Sequence, residues 1–202
     1  MARKRLLDRI KDSLAKEGIK ARLNAAVEWL KQKVKEIKLN ITAREAFINA
    51  AGRSLNTIKN RYFIGSMFLY IYSPKWKEEL PYYDTFPLVI PIEQYNDGFL
   101  GLNLHYIPPR DRIILLDKLS TIATDDRYDD KTRLRISYQF LKGATKIYEF
   151  TPCLKRYLWS HVRSKFLPIS ADEWDIVALM DLQRFVKATT QQVWEESRKK
   201  YR

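Results

Sequence analysis

The chain has 202 residues, of which 46% are hydrophobic and 13% aromatic, which is enough apolar material for a folded core and argues against a disordered chain. One cysteine, Cys153, and two histidines, His105 and His161, exclude an internal disulfide and multi-cysteine metal sites and leave little for zinc or iron. The formal net charge of +13 predicts a polyanionic partner, with a merely solubilising surface as the alternative.

The positive charge is concentrated in the first third of the chain. Residues 1–62 hold 16 Lys or Arg against 6 Asp or Glu, whereas residues 63–202 hold 21 against 18. Apolar runs are too short for a membrane span, and no continuous apolar stretch follows the basic N-terminus as it does in a signal peptide. These patterns predict a cytosolic protein that binds DNA or RNA rather than a membrane.

Residues 1–60 are predicted to form a basic helical N-terminal extension. Two helices within residues 3–39 are separated at Gly18, and Lys31 and Lys35 lie off the apolar stripe of the second. A capping box at Thr42–Glu45 predicts the start of a third helix.

Residues 61–202 are predicted to form an α+β core domain that is β-rich over 61–108. Aromatic and β-branched residues predict three strands, Phe63–Tyr72, Phe86–Ile92 and Phe99–Ile107. The prolines of the second indicate an edge or a bulge, and Asn96–Gly98 is a turn signal. Glycines at Gly65, Gly98 and Gly101 predict a small, curved, SH3-like β-barrel.

Residues 109–202 are predicted to be helical. The predicted helices span Arg110–Ala123, Leu134–Leu141, a short segment from Pro152 to Phe166, Trp174–Leu182 and roughly residues 185–200. A second capping box, Ser170–Glu173, precedes the fourth of these. The predicted fold is therefore a barrel flanked by basic N-terminal helices and a C-terminal helical region.

The segment Leu154–Phe166 is the strongest local candidate for contact with DNA. It contains no acidic residue and four cations, Lys155, Arg156, Arg163 and Lys165. On a helix, Arg156 and Arg163 would share a face and offer paired donors to phosphate oxygens. A solvated face of an amphipathic helix is the equally weighted alternative.

Two further groups are candidates for nucleic-acid contact. Lys31 and Lys35 of the N-terminal helices could follow a phosphate backbone. Tyr82 and Tyr83 lie near lysines in sequence and could stack on bases at a frayed end, although packing of these tyrosines at the mouth of the small barrel is the favoured interpretation.

No pattern in the sequence indicates catalysis or a cofactor. The aspartates at 125, 126, 129 and 130 lack the glycine and distal glutamate of a calcium loop, and Cys153 has no evident base beside it. We therefore expect no enzymatic activity, no metal and no cofactor.

Five segments resemble the DNA end-protecting protein of T-even-like tailed bacteriophages, especially the versions carried by marine phages. They are Tyr72–Lys75, Leu80–Leu88, Gly98–Tyr106, Arg127–Asp130 and Tyr157–Phe166. The resemblance runs from about residue 65 to residue 198, and the Leu-Pro-Tyr-Tyr-Asp and Gly-Phe-Leu-Gly blocks are its most specific parts.

The resemblance implies a virion protein, also present in the host cytoplasm during infection. Such a protein binds the ends of linear double-stranded DNA, shields them from the host exonuclease and acts in head completion near portal or neck proteins. Two alternatives remain open at this stage. One is a structural neck, tail or baseplate protein with a basic docking surface, and the other is a nucleic-acid-processing enzyme that uses the acidic loop at 125–130.

Overall fold

The computed structural model describes residues 63–123, 148–169 and 173–199, together with positions 54, 139 and 143. The predicted N-terminal helices with Lys31 and Lys35 lie outside the described residues. So do the acidic loop at 125–130 and, apart from position 139, the predicted helix at 134–141. The described part mixes helices with mostly antiparallel strands, which confirms the α+β class.

Five strands form one antiparallel sheet and two short strands form another. The large sheet has the order β5-β4-β3-β1-β6, in which the strands are β1 (Met67–Leu69), β3 (Leu88–Gln94), β4 (Gly98–Asn103), β5 (Leu154–Leu158) and β6 (Leu167–Ile169). The small sheet pairs β2 (Tyr83–Asp84) with β7 (Phe185–Val186).

Three α-helices and three 3-10 helices complete the described architecture. The α-helices are α1 (Pro109–Ala123), α2 (Trp174–Val177) and α3 (Thr190–Lys199). The 3-10 helices span Leu104–Tyr106, Tyr148–Cys153 and Trp159–His161. Helix α1 lies within one residue of its prediction, and Pro109 occupies its first position, where a missing amide hydrogen costs nothing.

The large sheet separates two buried clusters because successive side chains of a strand point to opposite faces. One cluster is aromatic and includes Phe68, Phe99, Tyr157 and Phe166. The other is mainly aliphatic and includes buried leucines of α1. Phe99 and Tyr157 are directly opposite each other on β4 and β5, and their rings stack with centroids 5.1 Å apart.

The described strands do not form a closed barrel, so the predicted small, curved, SH3-like β-barrel is not confirmed. Outer strands β5 and β6 do not pair with each other. A single bridge joins Tyr72 to Val162, and the Tyr72 hydroxyl accepts a hydrogen bond from the Leu158 amide at 3.1 Å. A 3-10 helix and a bulge between β5 and β6 prevent a continuous ladder, so the sheet stays open.

The predicted helix between Pro152 and Phe166 is also wrong. Residues Leu154–Leu158 form β5, and a 3-10 turn and an extended segment follow. Strand β4 would otherwise leave a row of backbone donors and acceptors unpaired at its edge, and pairing with β5 satisfies them. This tertiary pairing outweighs the helical spacing of the apolar residues.

The remaining strand predictions are confirmed at their centres. Pro91 lies beside a register shift in β3, as the proline pattern indicated, and the Gly65 amide donates to the Pro91 carbonyl at 2.9 Å. The turn at Asn96–Gly98 connects β3 and β4, and it is closed by a hydrogen bond from the Tyr95 amide to the Gly98 carbonyl.

The two C-terminal helices are shorter than predicted. Helix α2 ends at Val177 rather than Leu182, and a turn follows in which the Met180 amide donates to the Val177 carbonyl at 3.2 Å. Helix α3 begins at Thr190, after a reciprocal cap in which Thr189 and Gln192 hydrogen-bond each other.

Asp84 is a buried carboxylate that connects three distant parts of the chain. Its Oδ1 accepts from the amides of Phe86 and Arg184, at 3.0 and 3.1 Å. Its Oδ2 accepts from the Asn103 side chain at 3.2 Å and lies 2.6 Å from His105 Nδ1. This carboxylate therefore fixes β2, the end of β4 and the segment before β7 relative to one another.

The charges of this network follow from its surroundings. Burial alone would raise the pKa of Asp84, but the adjacent His105 and the backbone amides outweigh it, so the pKa lies below its usual value. Burial lowers the pKa of His105, and the attraction of Asp84 offsets this only partly. At neutral pH the pair is an ionised carboxylate and a neutral imidazole that donates through Nδ1.

Replacing Asp84 with Asn should lower the free energy of unfolding at neutral pH by about 3 kcal/mol, because buried donors lose their acceptor. Denaturant unfolding measures this, with Asp97→Asn as the control, since Asp97 forms an exposed ion pair with Arg156 worth about 0–1 kcal/mol. The ionised carboxylate stabilises above its ordinary pKa of 3.8, so the Asp84→Asn penalty should shrink as pH falls below that value. Equal effects of the two substitutions at neutral pH would contradict this role of Asp84.

Replacing Gly98 with Ala should disrupt the pairing of β4 with β5. A Cβ at this position would lie 1.9 Å from the Tyr157 carbonyl oxygen, so the backbone must move, at a cost of roughly 3 kcal/mol. The matched control is Gly143→Ala, an exposed helical position where a Cβ would meet nothing within 4 Å. Thermal unfolding should show a large loss only for Gly98→Ala, and similar melting temperatures for both variants would refute the close approach.

Candidate nucleic-acid interface

The four cations predicted to share a helix occupy two different places. Lys155 and Arg156 lie on β5, whereas Arg163 and Lys165 lie in the extended segment before β6. The prediction that Arg156 and Arg163 share one helical face is therefore wrong.

Lys155 and Arg156 both pack against aromatic rings. The Lys155 ammonium lies 4.0 Å from the centre of the Tyr106 ring, and the Arg156 guanidinium lies 4.0 Å from that of Tyr95. Arg156 also forms an ion pair with Asp97. Because its charge is already partly matched, Arg156 offers less to a phosphate than an unmatched guanidinium would.

Arg163 and Lys165 are displayed by a bulge between β5 and β6. Leu69 pairs with Leu167 and Tyr72 with Val162, so two residues on one side face four on the other. The Arg163 amide donates to the Ile71 carbonyl, and the Ile71 amide donates to Ser164 Oγ, both at 2.8 Å. The surplus residues are pushed outward, which leaves the side chains of Arg163 and Lys165 exposed.

A turn at residues 74–80 adjoins this bulge. The Ser73 amide donates to the His161 carbonyl at 3.0 Å, and the Ser73 carbonyl lies 2.8 Å from His161 Nδ1. The turn then carries Lys75, Trp76 and Lys77, all exposed. The Lys75 ammonium lies 4.7 Å from the centre of the Trp76 ring. We call Lys75, Trp76, Lys77, Arg163 and Lys165 the bulge-turn surface.

The Lys187 side chain stabilises the turn at residues 74–80. Its ammonium donates to three backbone carbonyls, at 2.9 Å to Lys77, 2.7 Å to Glu78 and 3.2 Å to Leu80. Lys187 immediately follows β7, so the pairing of β7 with β2 determines where this ammonium lies.

Tyr82 and Tyr83 are both half-buried. The Tyr82 ring packs against Tyr106 at 6.1 Å and edge-on against Phe185 at 6.4 Å, and Tyr83 pairs with Val186 in the small sheet. Tyr82 thus packs against the core at this end of the molecule. Trp76, between two lysines, is the more exposed aromatic, and the Lys-Trp-Lys pattern could have identified it from sequence.

Within the described residues, three properties bear on other kinds of site. No group of three or more His, Cys, Asp or Glu side chains is arranged to hold a metal ion. Burial raises the pKa of the Cys153 thiol to about 12, which keeps it protonated and a poor nucleophile. Over the same residues, no helix is both long and apolar enough to cross a membrane.

The bulge-turn surface combines charges suited to phosphates with an exposed indole suited to a base. Comparison with known proteins also indicates DNA as the partner. The family model of the phage T4 terminal DNA protecting protein matches residues 3–197. The match includes the N-terminal segment, which the sequence resemblance above did not cover. No curated protein and no solved structure matches the chain. Because the family match spans nearly the whole sequence, the chain belongs to the phage T4 terminal DNA protecting protein family.

Proposed function

We propose that the protein binds the ends of linear double-stranded phage DNA and shields them from the host exonuclease. The observation that carries the proposal is the family match over residues 3–197, since the family is that of a terminal DNA protecting protein. The net charge of +13 supports it, because counterion release from phosphates drives binding to duplex DNA.

Two regions supply cations for this contact. Residues 1–62 carry most of the excess positive charge, and Lys31 and Lys35 remain our predicted contacts there. In the described part, Arg163 and Lys165 stand out of the sheet on the bulge, and Lys75 and Lys77 follow on the adjoining turn. Lys155 and Arg156 are secondary candidates, because Lys155 is partly buried and Arg156 already forms an ion pair with Asp97.

The protection is steric rather than catalytic. Lys and Arg side chains hold phosphates near the terminus, and the folded domain then occupies the space that an exonuclease needs in order to load. No bond is made or broken in this scheme, so the protein acts without enzymatic turnover and without a cofactor.

We further infer that the protein acts as a virion component in head completion, near the portal or neck. A linear genome presents few ends, and a protein that covers them must meet one where the packaged DNA terminates. The basic surface is then directed at DNA, and other faces remain for contacts with portal or neck proteins.

Exonuclease protection tests the proposal. Linear duplex DNA mixed with the protein should survive a processive double-strand exonuclease, whereas a circular duplex in the same mixture should remain open to an endonuclease. This difference follows because a protein at the end blocks loading but leaves internal sites free. Equal protection of both DNAs would indicate general coating, and no protection of either would refute the proposal.

Replacing Arg163 and Lys165 together with Ala should weaken binding to linear duplex by roughly tenfold or more, because two charge-assisted phosphate contacts are lost. The plot of log affinity against log salt should also become shallower by about two. For the wild type, about six phosphate contacts would mean an affinity loss on the order of a thousandfold between 50 and 200 mM salt.

The matched control for this variant is Arg198→Ala with Lys199→Ala, which removes the same charge from the exposed last turn of α3. Fluorescence anisotropy with labelled duplex measures both variants. Equal losses in the two would mean that only net charge matters and would remove the bulge from the interface.

A further inference from the structure

Trp76 is the most exposed large hydrophobic side chain in the described part of the chain. It is 57% exposed, against 37% for each of Tyr95, Ile114 and Val186. A single exposed apolar residue is common and needs no explanation by itself. The hydrogen bonds that fix the turn around Trp76, however, do need an explanation.

Hydrogen bonds hold the backbone of the turn in one place. The amides of Glu79 and Leu80 both donate to the Trp76 carbonyl, at 3.1 and 3.0 Å. The Lys187 ammonium satisfies three further carbonyls of the same turn. These hydrogen bonds limit the motion of the turn, so its backbone loses little conformational entropy when Trp76 binds a partner.

Lys187 itself adopts an unfavourable backbone conformation. Its φ is 69°, in the left-handed region, and it is the non-glycine residue with positive φ among the described residues. Such a conformation costs about 1 kcal/mol or more and persists where surrounding contacts require it. Here the left-handed conformation of Lys187 accompanies the three hydrogen bonds that fix the turn. The contacts that hold the turn in place therefore outweigh the cost of this conformation.

The chemistry around Trp76 fits a base next to phosphates. Lys75 and Lys77 flank Trp76 in sequence, and the Lys75 ammonium lies against its ring. Arg163 and Lys165 lie on the adjoining bulge. Aromatic rings among cations are the common means of stacking on nucleic-acid bases while holding the backbone.

A stacking residue also supplies what phosphate contacts lack. Phosphates repeat along the whole duplex, so cations alone bind ends and interior alike. Inside a duplex both faces of every base pair are covered by neighbours, and only the terminal pair has one open face. An indole that needs an open face therefore distinguishes an end from the interior.

We propose that Trp76 stacks on the terminal base pair of the duplex, with the cations of the bulge-turn surface holding the adjacent phosphates. This inference rests on the proposed function and identifies the residue that makes binding specific for ends. It replaces Tyr82, whose half-buried ring packs against the core, as the aromatic that covers the last pair.

The test compares two duplexes of the same sequence, one with blunt ends and one with both ends closed by hairpin loops. The wild type should prefer the open duplex, and Trp76→Ala should lose at least about fivefold in affinity for it while keeping its affinity for the closed one. Trp76→Phe should restore part of the preference, because a smaller ring still stacks. A fluorescent adenine analogue in the terminal pair should respond to the wild type and not to Trp76→Ala.

The matched control is Tyr95→Ala, which removes an exposed aromatic ring that also contacts a cation, on the turn between β3 and β4. Its ratio of open to closed affinity should equal that of the wild type. Circular dichroism melting should show that Trp76→Ala remains folded, as expected for a side chain that is mostly in solvent.

The outcomes separate this inference from the proposed function. If the wild type prefers the open duplex and Trp76→Ala keeps that preference, Trp76 is not the stacking residue, although end binding stands. An equal loss on both duplexes would make Trp76 a general contact and would also overturn the inference. A wild type that binds both duplexes equally would overturn the proposed function and the inference with it.

Discussion

The buried carboxylate of Asp84 is the interaction on which the described structure depends most. Its two oxygens accept hydrogen bonds from Phe86, Asn103 and Arg184 and contact His105, so one ionised group satisfies donors from segments about 20 and 100 residues away in sequence. Isolated burial of such a charge would be strongly unfavourable, and this arrangement is stable only because every partner is present together. The small sheet and the end of β4 are fixed relative to each other as a result.

The bulge-turn surface follows from that constraint. Asp84 holds β2 against the segment that becomes β7, and Lys187, directly after β7, then lies beneath the carbonyls of the turn that carries Trp76. On the other side, Tyr72 forms a bridge to Val162, and the two surplus residues between Val162 and β6 form the cationic bulge. The charged and aromatic side chains are thus presented by backbone that the core determines.

Sequence patterns predicted the parts of this fold that rest on local chemistry. These parts have strong strand, turn or helix propensities and clear boundaries in the sequence. They are the strands around Phe68, Val89 and Leu102, the turn at Asn96–Gly98 and helix α1. The spacing of apolar residues predicts a helix over 154–166, because spacing alone cannot reveal that β4 needs a partner. Asp84 gave no signal, because its role depends on contacts far apart in the chain. Arg163 and Lys165 were identified by charge, but the bulge that exposes them follows from a register that no local pattern specifies.

Membership of the terminal DNA protecting protein family indicates a protein that covers DNA ends, and the basic charge suits that partner. The most direct measurement is the amount of protein bound to linear duplexes of increasing length, together with a closed circle, by mass photometry at physiological salt. End binding predicts that the number of molecules per linear duplex stays constant as length increases, and that the circle binds far less. A number that increases in proportion to length, with similar loading of the circle, would contradict the account.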